Sequence, residues 1–238
     1  MKKAIIIGAT SGIGRALAEK LVANNWTVGI TGRRAALLEK IQAQAPTQIL
    51  TLAHDVTEIA TSDEKLTSLY NQLGTVDLMV VCSGFAAINH QLEWAIEHKT
   101  IDTNVTGICK AYQFAFTKFK MQGAGHLVGI TSIAALRGNR YCPSYSAAKA
   151  FQANYLEALR GISKKRKLNI TVTDIQPGFV DTPMAQGPGM FWVAPVQKAA
   201  NQIYNGILKG KRKVYITRRW RLIAWVMRHA PNWMMERV

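Results

Sequence analysis

Near its start the chain runs from four apolar residues, Ala4-Ile5-Ile6-Ile7, straight into Gly8-Ala9-Thr10-Ser11-Gly12-Ile13-Gly14 and then into helical apolar spacing at Ile13, Leu17 and Leu21. A short unbroken apolar run reads as a strand buried on both faces, as in a parallel sheet covered by helices. Glycines at its exit let the main chain turn sharply. They also let backbone N–H groups and the dipole of the next helix approach a pyrophosphate. This junction therefore predicts a βαβ unit that binds a dinucleotide through Gly8, Thr10, Ser11, Gly12, Ile13 and Gly14. The opening Met1-Lys2-Lys3 gives the segment a superficial likeness to a signal peptide, but the apolar stretch ends at Gly8 and feeds the glycine turn.

Similar runs recur at Thr27–Thr31, Ile49–Ala53, Leu78–Cys82, His126–Thr131, Ile170–Gln176 and Val214–Thr217, so seven strands are expected with the first, Lys3–Ile7. Segments with helical spacing, such as Leu37, Leu38 and Ile41, lie between them. The expected fold is a Rossmann-like, doubly wound parallel α/β sheet of seven strands in three layers, α/β/α. Long helices are expected at about Ile101 to Lys120, with Asn104 near its start, and Tyr145 to Lys164. At 238 residues and 48% hydrophobic, one domain over residues 1–217 can bury a full core, with an extension over 218–238. No apolar run reaches the roughly 18 residues of a membrane span. Cys82, Cys109 and Cys142 show no Cys-x-x-Cys spacing, which fits a reducing cytoplasm. His54, His90, His98, His126 and His229 are scattered, so no metal site is expected.

Tyr145 and Lys149 stand one helical turn apart and point the same way. Alone the pair is common on helices; its company makes it specific. Ser132 lies thirteen positions before Tyr145, Asn104 lies mid-chain, Pro177-Gly178 follows, and the turn spacing is Gly-x-x-x-Gly-x-Gly. From about Lys3 to Thr217 the chain resembles the short-chain dehydrogenase/reductase family. The resemblance implies that Tyr145 is the general acid/base, that Lys149 favours its phenolate and bonds the nicotinamide ribose, and that Ser132 holds the substrate oxygen. It also implies that Asn104 holds a water linking Lys149 to solvent.

Pro177-Gly178, with Val180 and Thr182, matches the turn that cups the carboxamide, and Ser83-Gly84 matches the close approach after the fourth strand. Asp55-Val56 matches the position that holds the adenine, although Asp55 equally suits a helix N-cap. Where NAD-binding relatives carry an acid for the ribose 2′-hydroxyl, the chain reads Thr31-Gly32-Arg33-Arg34. Loss of the carboxylate and gain of a guanidinium favour a 2′-phosphate, hence NADP(H) over NAD, with Arg33 as its holder and Arg34 or Arg15 assisting. In place of the family's frequent Asn-Asn-Ala-Gly stands Val81-Cys82-Ser83-Gly84, so the asparagine that ties neighbouring strands is missing.

The expected activity is hydride transfer between NADP(H) and a small-molecule carbonyl or secondary alcohol. A non-catalytic NADP(H)-binding regulator is the alternative, and the complete Ser132, Tyr145, Lys149 set argues against it. The resemblance also implies a homodimer or homotetramer that pairs the two long helices, with Phe114, Phe151 and Tyr155 offering an apolar face. A lid is expected over Pro183 to Pro195, whose Met184, Met190, Phe191 and Trp192 suit either an apolar substrate or anchorage to the core.

The carboxyl end continues past the last strand as a basic amphipathic helix. Leu222, Ile223, Val226, Met227 and Ala230 fall on one stripe, with Arg218, Arg219, Arg221 and Arg228 around it. Trp220, Trp225 and Trp233 add a composition suited to a lipid headgroup boundary. Two coverings fit the stripe: an anionic membrane surface, making the cytoplasmic protein peripheral on the inner face of a membrane, or the protein's own body or a sister subunit. Thirty Lys and Arg against fourteen Asp and Glu give a net charge of +16, which attracts anionic surfaces. No nucleic-acid motif accompanies that charge, and no nucleic-acid partner is expected.

Overall fold

The computed structural model describes residues 1–185 and 189–235. Seven strands, β1 (Lys3–Ile7), β2 (Thr27–Gly32), β3 (Ile49–Ala53), β4 (Leu78–Val81), β5 (Ala124–Ile130), β6 (Asn169–Pro177) and β7 (Lys213–Ile216), form one sheet in the order β3-β2-β1-β4-β5-β6-β7. Every pairing is parallel. Because side chains alternate along a strand, β1 sends Ala4 and Ile6 to one face and Ile5 and Ile7 to the other, all fully buried. Helices α1 (Gly12–Val22), α2 (Ala35–Gln42) and α7 (Val196–Leu208) close the first face with Leu17, Leu21, Leu38, Ile203 and Ile207. Helices α3 (Ile59–Leu73), α5 (Ile108–Gln122) and α6 (Pro143–Lys165) close the second with Leu66, Leu69, Tyr112, Phe119 and Leu156. The result is the doubly wound three-layer architecture expected from the strand spacing.

Strand order reverses between β1 and β4, so the loops leaving them diverge and open a crevice at the carboxyl ends of the strands. The helix expected to begin near Ile101 begins earlier, as α4 (Trp94–Ile101), and runs through a π-helical turn at Asp102–Gly107 into α5. Asn104 therefore sits inside that turn rather than near a helix start. A π turn loosens the regular i→i−4 ladder and leaves carbonyls for other partners, which is why such turns gather at functional sites.

Two expectations about packing are corrected. Phe114 is buried within its own chain beside α3, so it does not belong to an exposed pairing face; Phe151 is exposed and stacks on the half-buried Tyr155 at 5.8 Å. In the tail, α8 (Trp220–His229) divides the expected stripe. Ile223 and Met227 share the inner side with the buried Trp220 and Ala224, whereas Leu222 and Val226 point outward. A short α9 (Asn232–Met235) follows. Arg137 donates to the Met227 carbonyl at 2.5 Å, to the Ala230 carbonyl at 2.7 Å and to Asn232 Oδ1 at 3.0 Å, which fixes the end of α8 to the body.

Candidate active site

The glycine turn is held by contacts that leave no room for side chains. Gly8 has a φ of +95°, and a Cβ there would stand 2.5 Å from Ser83 N. Gly8 N and Ala9 N donate to the Thr31 carbonyl at 3.0 and 2.9 Å, locking the exit of β1 against β2. A Cβ on Gly14 would overlap the Gly8 carbonyl oxygen. Gly12, with a φ of +56°, lies under the Thr182 methyl, 3.2 Å from where a Cβ would be. Ser11 makes no side-chain cap at the start of α1, so the first N–H groups of that helix remain for an anion. The cradle fits a pyrophosphate, with Thr10, Ser11 and the half-buried Ile13 at its rim.

Beside the glycine turn, the space next to Gly32 is occupied and guanidinium groups stand nearby. A Cβ on Gly32 would come 2.5 Å from Thr10 Cγ2, so the slot for an acidic side chain is already filled by a methyl group. Arg34 Nη2 donates to Thr10 Oγ1 at 2.6 Å and Ser11 Oγ at 3.0 Å, tying it to the glycine turn. Arg33, largely exposed, lies 3.8 Å from Asp55 Oδ2. Asp55 Oδ1 accepts from Thr57 N at 3.0 Å and Thr57 Oγ1 at 2.9 Å, an Asx turn ahead of α3 rather than its N-cap, while Val56 is buried. Arg15 is paired with Glu19 at 2.8 Å, on its own helix.

Ser132, Tyr145 and Lys149 come together at the ends of β5 and α6. Ser132 Oγ accepts from Ala134 N at 3.1 Å, capping a short 3-10 turn at Ile133–Leu136, beside Tyr145. Burial pushes the Tyr145 phenol up to about 12, with the Ser132 hydroxyl opposing it. Lys149 Nζ is buried 5.7 Å from the Tyr145 ring centre and donates to the Ile130 carbonyl and to Gln152 Oε1, both at 3.0 Å. Burial lowers its ammonium to about 8, opposed by Cys82 and Asp174.

Gln152 was not singled out by the sequence, yet it links the set. Its amide donates to the Asn104 main-chain carbonyl at 2.6 Å. The Asn104 side chain is spent elsewhere, accepting from Phe85 N at 2.8 Å and donating to the Phe85 carbonyl at 2.6 Å. One signal was available. Tyr145, Lys149 and Gln152 sit at i, i+4 and i+7 on one helix face, and a fully buried polar residue there needs a partner.

On the far side of the crevice, Gly178 N donates to the Ile216 carbonyl at 2.6 Å. The Trp220 indole fills the space where a Gly178 side chain would be. Trp220 also meets Phe179 edge-on at 5.5 Å and Phe191 at 5.0 Å, so the first residue of α8 is part of the wall behind Pro177-Gly178. Val180 is buried and bridges to Ala194. Of the expected lid, Pro183 to Pro195, residues 186–188 lie outside the described residues. A Cβ on Gly84 would stand 3.3 Å from Asn104 Oδ1, 3.7 Å from Met184 Cε and 3.8 Å from Lys149 Nζ. The strand tie expected to be missing with the asparagine is made by the backbone: Cys82 N and Ser83 N both donate to the Ile7 carbonyl, at 2.8 and 2.9 Å.

Comparison with known proteins bears on the whole of this arrangement. A family model described as short chain dehydrogenase matches residues 2–189. An uncharacterized oxidoreductase from Myxococcus xanthus is 31% identical over 220 residues, covering 90% of this chain and 86% of that protein. A sepiapterin reductase from Chlorobaculum tepidum is 31% identical over 193 residues, 76% of this chain and 78% of its own. Among solved structures, ElxO with NADP bound aligns with a TM-score of 0.78 at 21% identity, over 90% of this chain and 96% of that one. A short chain dehydrogenase/reductase from Burkholderia phymatum in complex with NAD aligns with a TM-score of 0.83 at 17% identity, over 94% and 92%.

Proposed function

The chain belongs to the short-chain dehydrogenase/reductase family of nicotinamide-dependent oxidoreductases, and from that premise we propose that it is an NADP(H)-dependent reductase of a carbonyl group, with Tyr145 as the proton donor. The observation that carries the cofactor choice is Thr10 Cγ2 filling the space beside Gly32, where an acidic side chain would otherwise go, next to the guanidinium groups of Arg33 and Arg34. A 2′-phosphate beside two arginines gains charge-assisted hydrogen bonds; a bare ribose gains none. ElxO, of the same fold, binds NADP, whereas the Burkholderia phymatum protein binds NAD, so the fold alone does not choose.

The bound nicotinamide supplies or accepts the hydride. Everything else falls to the chain. The Ser132 and Tyr145 hydroxyls stand side by side, so a substrate oxygen placed between them receives two donors where negative charge develops, a contribution of about 3 kcal/mol for one such donor. A phenol held up to about 12 keeps its proton at ordinary pH, which suits the reductive direction. Lys149 commits two of its three N–H donors to Ile130 and Gln152, leaving the third for the cofactor ribose. Its positive charge then stabilises the phenolate that forms as the proton leaves.

We assign the remaining cofactor contacts to Gly8, Gly12, Gly14, Asp55, Val56, Ser83, Gly84, Pro177, Gly178, Val180 and Thr182. A homodimer or homotetramer through α5 and α6 is part of the same proposal, with Phe151 and Tyr155 as its apolar contacts. The test is a screen of ketones and aldehydes with NADPH and NADH. Turnover with NADPH supports the reading, and equal affinity for the two cofactors removes the NADP assignment.

A further inference from the structure

Helix α8 carries two apolar faces, and the protein covers only one. Trp220, Ile223, Ala224 and Met227 face the body. On the opposite side Leu222, Trp225 and Val226 are 68%, 62% and 44% exposed, at the i, i+3, i+4 spacing that makes one stripe. A surface helix normally turns its second face to water with polar residues, so an apolar second face implies a covering. Arg219, Leu222 and Val226 share a side of the helix, and the Arg219 guanidinium stands 5.0 Å over the Trp192 ring. Arg219 thus ties the outer side of α8 to the exposed Phe191, Trp192 and Val193 of the loop before α7.

The stretch of chain that builds this surface carries charge of one sign, with the exposed Asp181 at its edge, bonded through its N–H to the Ala194 carbonyl at 2.9 Å. From Thr182 to Met235 the sequence holds no acidic residue, and that stretch includes Lys198, Lys209, Lys211, Arg212, Lys213, Arg218, Arg219, Arg221 and Arg228. Among the described residues, Arg218, Arg219, Arg221 and Arg228 are exposed and form no ion pair. Self-association through the stripe is disfavoured by this pattern. In a two-fold contact the same patch meets itself, which would bring arginines against arginines with no carboxylate in the stretch to pair them. A sheet of anionic headgroups over hydrocarbon satisfies both parts, the arginines in the headgroup layer and the Leu222, Trp225, Val226 stripe beneath it.

We propose that the outer face of α8, with Phe191, Trp192 and Val193, docks on an anionic lipid bilayer. The contact is peripheral: among the described residues no helix is long and apolar enough to cross a membrane. The face is separate from the Ser132, Tyr145, Lys149 set, so it stands whether or not NADP(H) is the cofactor.

The experiment is co-sedimentation of the whole protein with vesicles of phosphatidylcholine alone and of equimolar phosphatidylcholine and phosphatidylglycerol, at low and high salt. The expected result is binding to the anionic vesicles at low salt, weakened by at least about tenfold on neutral vesicles or in high salt, where surface charge is screened. Replacing Leu222, Trp225 and Val226 together by glutamine should abolish binding while the melting temperature and NADPH affinity stay unchanged, because all three side chains point outward. Arg221→Gln with Arg228→Gln should weaken binding and flatten its salt dependence. No binding of the wild type at low salt overturns the proposal, as does undiminished binding of the triple variant. An oligomer that falls apart in the triple variant, in sedimentation without lipid, assigns the face to a second copy and overturns it too.

Discussion

The side-chain oxygen of Gln152 accepts a hydrogen bond from Lys149 Nζ at 3.0 Å, deep in the protein and almost one turn further along the same helix. Burial of the ammonium lowers its proton affinity, and an acceptor aimed at it works the other way by favouring the charged form. Gln152 is itself oriented by the Asn104 carbonyl that the π turn leaves available. On the proposed mechanism it is a positioning residue that acts through Lys149.

Its removal should be visible in a pH profile. If Lys149 must be charged, kcat/KM falls as pH rises through about 8 in the free enzyme. Gln152→Leu removes the acceptor, so the falling limb should move to lower pH and activity at neutral pH should drop by roughly tenfold or more, the worth of a hydrogen bond to a charged group. Gln152→Glu should move the limb upward. Measured profiles that coincide with the wild type for both variants would confine Gln152 to packing.

Lys149 should also be a cost to the fold. An ammonium whose proton affinity falls from 10.5 to about 8 on folding destabilises the native state by on the order of 3 kcal/mol when it is protonated in both states. The unfolded chain binds more protons between those two values, so the cost is full below pH 8 and fades as pH rises to 10.5. Lys149→Met should therefore lose turnover yet resist urea better than the wild type at pH 7, with the advantage shrinking towards pH 10.5. Equal or lower stability at pH 7 would mean that the ammonium is better solvated than its burial implies.

On the proposed mechanism Tyr145→Phe removes the transferable proton and keeps the ring. Turnover should fall by roughly 10²- to 10⁴-fold while NADPH affinity changes little. Single-turnover kinetics beside a fluorescence titration of the cofactor would check both halves. A folded Tyr145→Phe enzyme with full turnover would move the proton transfer to another group.

What the sequence disclosed was whatever local chemistry dictates. An apolar run ending in Gly8 can hardly be anything but a buried strand leaving a sheet, and the i,i+4 geometry of Tyr145 and Lys149 holds wherever their helix packs. Contacts made across the fold were hidden. Gln152 meets Asn104 only because a π turn frees a carbonyl 48 residues away. Trp220 reads as part of a surface tail, but its indole packs directly on Gly178, where any Cβ would overlap the ring. The direction of the α8 stripe was ambiguous for a physical reason: Leu222, Ile223, Val226 and Met227 spread over so wide an arc that periodicity alone cannot say which edge faces inward.

The cofactor pocket gives the most specific prediction, because a steric and an electrostatic cause can be separated there. Arg33→Ala should weaken NADPH binding by roughly 10- to 100-fold and leave NADH nearly unchanged, since the lost hydrogen bonds go to a phosphate that NADH lacks. Gly32→Asp alone should not convert the enzyme to NADH, because the new Cβ meets Thr10 Cγ2 at 2.5 Å and would disturb the turn to which the pyrophosphate is assigned. It should weaken both cofactors. Adding Thr10→Ser removes the methyl group but keeps a hydroxyl for Arg34, so Gly32→Asp with Thr10→Ser should recover NADH binding while NADPH stays weak through repulsion between carboxylate and 2′-phosphate. Calorimetric titration of the three variants with both cofactors decides it. Gain of NADH affinity in the single Gly32→Asp variant would show that Thr10 yields easily, and equal NADPH affinity in Arg33→Ala would move the 2′-phosphate contact to Arg34.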